Sequence, residues 1–562
     1  QVSRRAHAPP ILAHDRVELE LPTRSRHSFT PAAPPGGAPT MRCSVLFELI
    51  VWTTLTASTI GPGTVAMCAK AGADAQEALL WCVVVAAVVA WVLQEASGRL
   101  TNVSNCTLGD CAYVKMPEGS RLAFLRKVLA CYVVFGGWAY EANNFAGTMA
   151  AVRLVVTDEA ALYTINVLLG PLCAGMVVAG STQRLSLLFS AVVAAMIVCF
   201  AAVIGGSGVP NSLVGGLVPT IPAGSYEVAL GLVGTTTVPH NLLLSSALAR
   251  GASARSVQRG VLLSASLSGL ISLLILIVGM HVHKDAAEFE LRDVADVLRS
   301  AMGLVGVWGF ALGLFGAGVS SAMTVPLACA MAVEDMFGLR ALSALATQEG
   351  TEAGLSIGSS LAAPAATASP DAAAGFGSPP QPRSARKRVG ATASDRWQHG
   401  GRGAMMSAVV LLALIPTLAQ LPTISIIMSA QVVNGLLLPC VAALLFACVN
   451  DARLMSASPQ STWGNARALP CVGVCTFLAF TVLSKQTVCR LVPGWGGRQA
   501  MAIALPCTLG VVTGLCLLVR SSRKQATASA RVVADAAASR GAEPSAELTI
   551  ARPRAANADL SV

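Results

Sequence analysis

The chain has 562 residues, of which 54% are hydrophobic and only 12% are charged, and its mean hydropathy is +0.64. A soluble domain carries about 25% charged residues, so this composition excludes an ordinary soluble protein and favours a multi-pass integral membrane protein. The net charge of +10 comes from basic residues between apolar segments and in the tails, not from an aromatic-laced face. We therefore expect a lipid bilayer, and no nucleic acid, as a partner.

Twelve apolar segments are long enough to cross about 30 Å of hydrocarbon, which takes roughly 20 helical residues. In chain order, these predicted spans 1 to 12 are 44–67, 78–97, 127–150, 161–180, 185–205, 226–249, 260–281, 301–333, 404–422, 424–449, 470–488 and 499–519. The sequence thus predicts an all-α membrane protein with about 12 transmembrane helices.

The loops indicate an orientation and the remaining segments indicate disorder. Loops that follow even-numbered spans hold 18 Lys and Arg residues, against 8 in the other loops, which predicts cytoplasmic N- and C-termini.

Residues 1–43 and 520–562 are predicted to be disordered tails. Residues 341–403, rich in Ala, Ser, Pro and Gly, are predicted to be a disordered cytoplasmic linker, because they lack the apolar surface that ordering requires.

Two of the predicted spans are interrupted near the middle of the bilayer. Span 1 contains Gly61-Pro62-Gly63-Thr64, and span 6 contains a stretch from Gly234 to Asn241 that includes Pro239 and His240. Proline removes a backbone donor and glycine adds no steric resistance to unwinding, so both helices should break. Broken backbone at this depth is tolerated only where it is buried in protein or lines a water-filled cavity.

The positions of the two breaks predict an internal repeat. They lie five spans apart, which suggests two five-helix repeats, residues 44–205 and 226–449, with peripheral spans 11 and 12 at 470–519. Paired interruptions in corresponding helices indicate the binding site of a secondary transporter. We find no nucleophile–base pair, so an enzyme is not expected, and nothing indicates a bound organic cofactor.

At the breaks, the chain resembles the Nramp family of proton-coupled divalent metal transporters. That family carries Asp-Pro-Gly-Asn in its first helix and Met-Pro-His-Asn in its sixth, where this chain has Gly61-Pro62-Gly63-Thr64 and Val238-Pro239-His240-Asn241. The resemblance implies a LeuT-like fold of inverted five-helix repeats with broken helices 1 and 6. It continues through segments that are similar to the family's second, eighth, ninth and tenth helices, namely 79–100, 310–337, 414–420 and 429–433.

The resemblance also implies a metal site at Gly61, Thr64, Thr235, Val238 and Gln431. Three of these positions depart from the family: Gly61 replaces an aspartate ligand, Thr64 an asparagine, and Val238 a methionine. The donors that remain are backbone carbonyls, a hydroxyl and an amide. Such hard oxygen donors suit a hydrated or monovalent cation, or Mg²⁺, better than Mn²⁺ or Fe²⁺. We therefore expect a carrier of a divalent cation with altered selectivity.

A proton route is implied at Glu141, Asn144 and His240. Glu141 and Asn144 match positions at which the family has an aspartate and a glutamate in its third helix. Glu141 could carry protons, or it could be permanently protonated or paired structurally. His240 could shuttle protons, since imidazole titrates near neutral pH, or brace the unwound helix by hydrogen bonding to freed carbonyls. Symport with protons is accordingly an expectation.

Two alternative functions stay open on the sequence. Half-helix N-termini at the breaks could bind an anionic group, which would suit a carrier of a small organic solute such as an amino acid. Some Nramp-like proteins are non-transporting receptors or signalling proteins that keep the membrane core. Those typically add a large ordered cytosolic domain, and the short tails here argue against that alternative.

Overall fold

The structure is a computed structural model, and it describes residues 52, 55–56, 58–179, 182–282, 288–339, 400–455, 459–492 and 495–539, apart from the side chains of 179–192, 490 and 525–539. The predicted tail 1–43, the linker from 341 to 399, and residues 540–562 lie outside the described residues, as does the start of predicted span 1.

The helices of the described residues are numbered here in chain order. Their bounds are α1 Pro62–Ala75, α2 Leu80–Ser104, α3 Leu108–Lys115, α4 Ala123–Arg153, α5 Glu159–Ala179, α6 Thr182–Ser207, α7 Tyr226–Thr236, α8 Pro239–Leu248, α9 Ala254–Met280, α10 Leu291–Met302, α11 Leu304–Met336, α12 Arg402–Leu412, α13 Ile415–Leu418, α14 Thr423–Val449, α15 Thr462–Gln486, α16 Val488–Leu491 and α17 Gly497–Ser539.

Seven helical stretches among the described residues are long and apolar enough to cross a membrane. They are Pro62–Ser104, Glu159–Val178, Ala254–Met280, Leu304–Met336, Thr423–Val449, Thr462–Gln486 and Gly497–Lys524. The 31-residue helix α4 is also long enough, but Glu141, Asn143 and Asn144 lower its hydropathy. Helices α7 and α8 are each too short, because predicted span 6 is broken. The chain is thus a multi-pass integral membrane protein.

The helices pack around the two breaks. Helix α4 packs against α11 and α14, α1 packs against α9, and α7 packs against α14. Buried apolar side chains form two large clusters, one with Ile60 and Val65 beside the first break and the other with Val233 and Leu242 beside the second. Each break is therefore packed against buried apolar side chains.

The structure corrects the predicted C-terminal tail. Helix α17 runs from Gly497 to Ser539, whereas the composition predicts disorder from residue 520. Residues 521–539 are rich in Ala and also contain Arg, Lys and Gln, all of which favour helix. Because this segment extends an existing membrane helix, it needs no new helix nucleus.

The structure also adds two helices that lie in predicted loops. Helices α3 and α10 each begin with a capping box, in which an N-cap side chain and a side chain three residues later satisfy each other's backbone N–H groups. In α3 this pair is Thr107 and Asp110, and in α10 it is Glu290 and Asp293. Predicted span 9 is likewise divided, into α12 and α13, with Pro416 in the first turn of α13.

Candidate metal-transport site

The first break lies where the sequence has proline between two glycines. The chain is helical at Thr59, leaves the helix for two residues, and enters α1 at Pro62. Gly61 is extended, with φ −107° and ψ −179°. Its carbonyl accepts a hydrogen bond from the backbone N–H of Thr64 at 3.0 Å. Proline fits the first turn of a helix because its missing N–H would have no partner there.

The second break separates α7 from α8. Helix α7 ends at Thr236, and Val238 is extended, with φ −70° and ψ 134°, before α8 begins at Pro239. The residue before a proline is pushed out of the helical region, which explains where the break occurs. The hydroxyl of Thr237, between the two helices, donates to the carbonyl of Ala86 on α2 at 3.2 Å.

The two breaks meet through a pair of threonines. The Oγ1 atoms of Thr64 and Thr235 lie 3.0 Å apart, and the Thr64 hydroxyl donates to the carbonyl of Thr59 at 2.7 Å. All three residues are buried. Thr64 thus connects the end of the helical segment before the first break, at Thr59, to the second break at Thr235. The two interruptions therefore lie together at one place.

Asn241, which follows the second break, forms hydrogen bonds to residues beside the first break. Its Nδ2 atom donates to Thr59 Oγ1 at 3.1 Å, and its Oδ1 atom accepts from the Ser58 hydroxyl at 2.9 Å. One amide of α8 therefore holds two consecutive residues of the helix that precedes α1. This contact fixes the relative position of the two broken helices.

Gln431 on α14 lies against both broken helices. A side chain at Gly63 would collide with the Gln431 amide, and Gly234 on α7 closely approaches the backbone carbonyl of Gln431. The Gln431 side chain is fully buried, and neither its Oε1 nor its Nε2 has a hydrogen-bond partner among the described residues. An unpaired amide oxygen at the breaks is available to a cation.

Three oxygen atoms of the scaffold closely approach Gly61. A Cβ atom placed on Gly61 would lie 3.2 Å from Ser321 Oγ, 3.3 Å from Tyr140 Oη and 3.4 Å from Asn144 Oδ1. Helix α4 supplies Tyr140 and Asn144, and α11 supplies Ser321. The position at which the resembled family has a carboxylate is thus surrounded here by neutral oxygens.

Glu141 is linked to the surroundings of Gly61 through Asn144. The Asn144 Nδ2 atom donates to Glu141 Oε2 at 3.1 Å, while its Oδ1 atom faces Gly61. Glu141 is fully buried, and its Oε1 atom has no hydrogen-bond partner among the described residues. A buried carboxyl group without a cationic partner is costly when ionised, which is typical of a group that binds a proton or faces a cation.

Val238 and His240 both contact Tyr140. Val238 belongs to a small buried cluster with Tyr140, Val325 and Cys329. The rings of Tyr140 and His240 meet edge to face, with centroids 5.0 Å apart. His240 Nε2 has no hydrogen-bond partner among the described residues. The hydrogen bonds that brace the break come from Asn241 instead.

The structure brings the residues singled out in the sequence to one place. Gly61, Thr64, Thr235 and Gln431 surround the meeting point of the breaks, and Glu141 and Asn144 border it from α4. Val238 contributes an apolar side chain to the cluster around Tyr140, so only its backbone could serve a metal.

Three further residues of the site were not predicted from the sequence. Tyr140 directly precedes Glu141, Ser321 lies in a Ser-Ser pair of α11, and Asn241 ends the Pro-His-Asn stretch. Only the last has a local signal, because it adjoins the second break. Which scaffold side chains face Gly61 depends on helix packing and cannot be read from spacing alone.

The site differs from a conventional transition-metal site in its ligand types. Among the described residues, no three His, Cys, Asp or Glu side chains are grouped so that they could hold a metal ion. The oxygens available are hydroxyl, amide and backbone carbonyl oxygens, with one carboxyl group, Glu141, behind Asn144. These are hard donors, which favour hard cations.

A cavity of about 780 Å³ lies at one end of α1, α4, α7 and α14. It is lined by charged side chains of both signs: Lys70, Asp74, Arg153, Glu227, Glu288, Glu290 and Arg292. Lys70 follows Thr64 by six residues on α1, which places the cavity roughly 9 Å along the helix from the threonine pair. The cavity therefore lies toward the end of α1, away from the first break.

The comparisons with known proteins agree with this fold. A family model described as "Natural resistance-associated macrophage protein-like" matches residues 53–369, which is more than half of the chain. In a comparison of solved structures, the chain is similar to the manganese transporter of Eremococcus coleocola, with a TM-score of 0.58 and 16% sequence identity. The match covers 90% of this chain and 99% of that one.

The chain is also similar to named transporters in sequence. It is 26% identical over 307 residues to "Divalent metal cation transporter MntH" of Mycobacterium leprae, a match that covers 49% of this chain and 68% of the relative. It is 25% identical over 203 residues to "Metal transporter Nramp4" of Arabidopsis thaliana, which covers 34% of this chain and 37% of that relative.

Proposed function

Because this chain belongs to the Nramp family, a family of transporters and not of enzymes, we propose that it carries a divalent metal cation across a membrane. The observation that carries the proposal is the junction of the two breaks at Thr64 and Thr235, with the unpaired amide of Gln431 beside it. The proteins named above as similar are metal transporters, which supports a metal as the substrate.

We further propose that the metal selectivity is altered. Position 61 lacks a carboxylate, and position 238 carries an apolar valine side chain where sulfur would favour a transition metal. The oxygen donors at the breaks suit a cation that keeps part of its water shell, such as Mg²⁺. Mn²⁺ should therefore be transported less well than Mg²⁺.

Proton coupling is proposed to run through Glu141. Its carboxyl group is buried, lacks a cationic partner among the described residues, and bonds to Asn144, whose other end faces Gly61. A cation beside Gly61 would favour the ionised form of Glu141 through Coulomb attraction. Cation binding and proton release would then be coupled across the Asn144 amide. His240 is proposed to assist from its position against the Tyr140 ring, where its Nε2 atom has no hydrogen-bond partner among the described residues.

We propose that the carrier works by alternating access between two inverted repeats, residues 44–205 and 226–449. The breaks at corresponding positions support this, because such breaks let half-helices move against a fixed scaffold. We propose that the termini are cytoplasmic, which the distribution of Lys and Arg supports. In that orientation the charged cavity faces away from the cytoplasm.

Flux measurements in liposomes test the proposal. The purified chain is reconstituted, and the uptake of Mg²⁺, Mn²⁺ and protons is followed in parallel with empty liposomes. We expect Mg²⁺ uptake with a smaller Mn²⁺ uptake. Mn²⁺ uptake equal to or faster than Mg²⁺ uptake would contradict the altered selectivity. No flux of either metal would contradict metal transport, and a following amino-acid flux assay would separate an organic-solute carrier from a receptor.

The proposed proton route has its own test in the same liposomes. A Glu141→Gln variant keeps the shape of the side chain and its contact with Asn144 but cannot release a proton. We expect metal-driven proton flux to be lost. Unchanged proton flux in this variant would show that Glu141 is not part of the proton route. The proposal of metal transport would still stand.

A further inference from the structure

We propose that the short helix α3 is a latch that closes one side of the carrier by holding the half-helix α8 against the scaffold helix α11. The latch consists of Thr107, Leu108 and Asp110, at the N-terminus of α3. The inference rests on the proposed alternating access and adds to it the residues that keep one side closed. In the proposed orientation, that side is the cytoplasmic one.

The latch and the charged cavity lie at opposite ends of the same helices. Helix α14 begins at Thr423, which lines the cavity, and Asp451, which pairs with Lys115 of α3, follows its other end. The 27 residues of α14 separate these ends by about 40 Å. Similarly, Glu227 in the first turn of α7 lines the cavity, whereas the end of α8 contacts α3. Alternating access requires one side to be closed while the other is open, and the cavity and the latch fit those two sides.

Ser246 of α8 provides a hydrogen-bond acceptor that α3 cannot provide for itself. The first backbone N–H groups of a helix have no partner within that helix. In α3, the N–H of Leu108 donates to Ser246 Oγ at 2.8 Å. The same Oγ atom lies 2.5 Å from Thr101 Oγ1 on α2. Ser246 is fully buried, so a movement of α8 away from α3 would leave the Leu108 N–H without this partner, which costs free energy.

Thr107 attaches the same end of α3 to α11. Its hydroxyl donates to Asp335 Oδ2 at 2.6 Å and accepts from the backbone N–H of Asp110 at 3.2 Å. Thr107 and Asp335 are both buried. A Cβ atom placed on Gly109 would lie 2.5 Å from the Cβ of Asp335, so α3 and α11 are in close contact here. The first turn of α3 therefore contacts α8 through Leu108 and α11 through Thr107.

Asp110 adds an ionic contact between α3 and the chain just after α8. Its Oδ2 atom accepts from the backbone N–H of Thr107 at 3.0 Å and lies 3.3 Å from Arg250 Nη2. Both side chains of the ion pair are partly exposed, so the pair by itself contributes little. Because the same carboxylate completes the capping box of α3, the end of α8 is linked directly to the residues that cap α3.

The position of the latch along α8 suits this role. Ser246 lies seven residues after Pro239, which is roughly 10 Å along the helix from the second break. If α8 turns about the break, its far end moves most, and Ser246 must then leave Leu108. A few hydrogen bonds at this end can therefore keep the half-helix in place.

Hydrogen–deuterium exchange of the purified full chain in detergent tests the inference. The variants are Ser246→Ala, which removes the contact with α8, and Thr107→Val, which removes the contact with α11. The controls are Thr107→Ser, which keeps the hydroxyl, and Ser268→Ala. Ser268 is also buried, but its hydroxyl donates to the carbonyl of Ala265 within α9 at 3.1 Å. Thermal unfolding of every variant verifies that the fold is kept.

We expect faster exchange at the second break in both variants. The backbone N–H groups of Thr237 and Asn241 are hydrogen-bonded to the carbonyls of Val233 and Val238, and they should exchange about three- to tenfold faster. Both controls should exchange at the rate of the unchanged chain. The first turn of α7, at the cavity end, should keep its rate in every variant, because only the side closed by the latch opens.

The outcomes separate this inference from the proposed function. If the unchanged chain transports a metal in liposomes while both variants exchange at the unchanged rate at the second break, the latch is wrong and the carrier function stands. Faster exchange confined to α3 and the last turn of α8 would also contradict the latch, as would equal acceleration in the first turn of α7. If the unchanged chain transports no metal, the proposed function itself fails, whatever the exchange rates.

Discussion

The hydroxyl groups of Thr64 and Thr235 lie 3.0 Å apart, although the two residues are 171 positions apart in the sequence. Each belongs to a helix that is broken by proline, and neither break has a lysine or a carboxylate at this contact. The pair therefore joins two half-helices through a neutral contact. Such a contact can open and close without separating charges in a low-dielectric environment.

Thr235→Val tests the importance of this pair. The change keeps the shape of the side chain but removes the hydroxyl, so Thr64 keeps only its bond to Thr59. We expect the rate of metal uptake in liposomes to fall about three- to tenfold, since one neutral hydrogen bond contributes about 0.5–1.5 kcal/mol. The control is Thr236→Val, because the Thr236 hydroxyl bonds to Leu232 within α7. Equal loss in both variants would show that the junction has no special role.

Asn241→Ala tests the brace between the breaks. The variant removes two buried hydrogen bonds and leaves the hydroxyls of Ser58 and Thr59 without that partner. We expect the free energy of unfolding to fall by about 1–3 kcal/mol, measured as a lower midpoint of thermal unfolding in detergent. Ser58→Ala removes only one of the two bonds of Asn241, so its midpoint should lie between that of Asn241→Ala and that of the unchanged chain. A midpoint for Asn241→Ala equal to that of the unchanged chain would mean that the brace contributes nothing.

Gly61→Asp tests whether the missing carboxylate sets the selectivity. Gly61 has φ −107° and ψ −179°, extended backbone that aspartate can adopt, although its Cβ would make close contacts with Ser321 and Tyr140. The hydroxyls of those two residues could donate to the new carboxylate, which would also add a negative charge. We expect Mn²⁺ to bind at least tenfold more tightly, about 1.4 kcal/mol, in a calorimetric titration.

The control for this variant is Gly61→Asn, which has nearly the same size without the charge. Its Mn²⁺ affinity should stay near that of the unchanged chain. If Gly61→Asn gained as much affinity as Gly61→Asp, the effect would come from filling space and not from the carboxylate.

The ion pair between Lys115 and Asp451 predicts a pH dependence outside the membrane spans. The Lys115 Nζ and Asp451 Oδ2 atoms lie 2.6 Å apart, between the end of α3 and the residues that follow α14. Burial alone would raise the pKa of Asp451, but the hydrogen bonds from Lys115 and from the backbone N–H of Arg453 outweigh it, so this pKa is lowered. A lowered pKa in the folded state means that the carboxylate stabilises the fold above its unfolded pKa, near 3.9.

That contribution should be lost as the pH falls from about 4 through the lowered pKa of Asp451. Asp451→Asn should therefore lower the thermal midpoint slightly at pH 6, and by less at pH 3, relative to the unchanged chain. The effect should be small, because both side chains are about one-fifth exposed and the pair is screened by solvent. A difference that grows at pH 3 would contradict the sign of this shift.

Much of the fold follows from the sequence because its signals are local. Apolar length predicts where helices cross the bilayer, and proline and glycine predict the breaks at Pro62 and Pro239, where α1 and α8 begin. The tail was harder to predict, because composition alone does not reveal that residues 521–539 continue the helix of α17. The residues of this segment favour helix and follow directly on a formed helix, so the segment is helical although its polar composition predicts disorder.

The sequence by itself determined that two helices must break and which donors the breaks lack, since Gly61 and Val238 are read directly at their positions. Only the tertiary structure decided that Tyr140 and Ser321 face Gly61 and that Asn241 reaches Ser58 and Thr59. The physical reason is that a helix is interrupted by proline and glycine acting on residues only a few positions away in the chain. The face that a scaffold helix turns towards a break depends on how whole helices pack, and glycines such as Gly63 and Gly234 set that packing by allowing close approach.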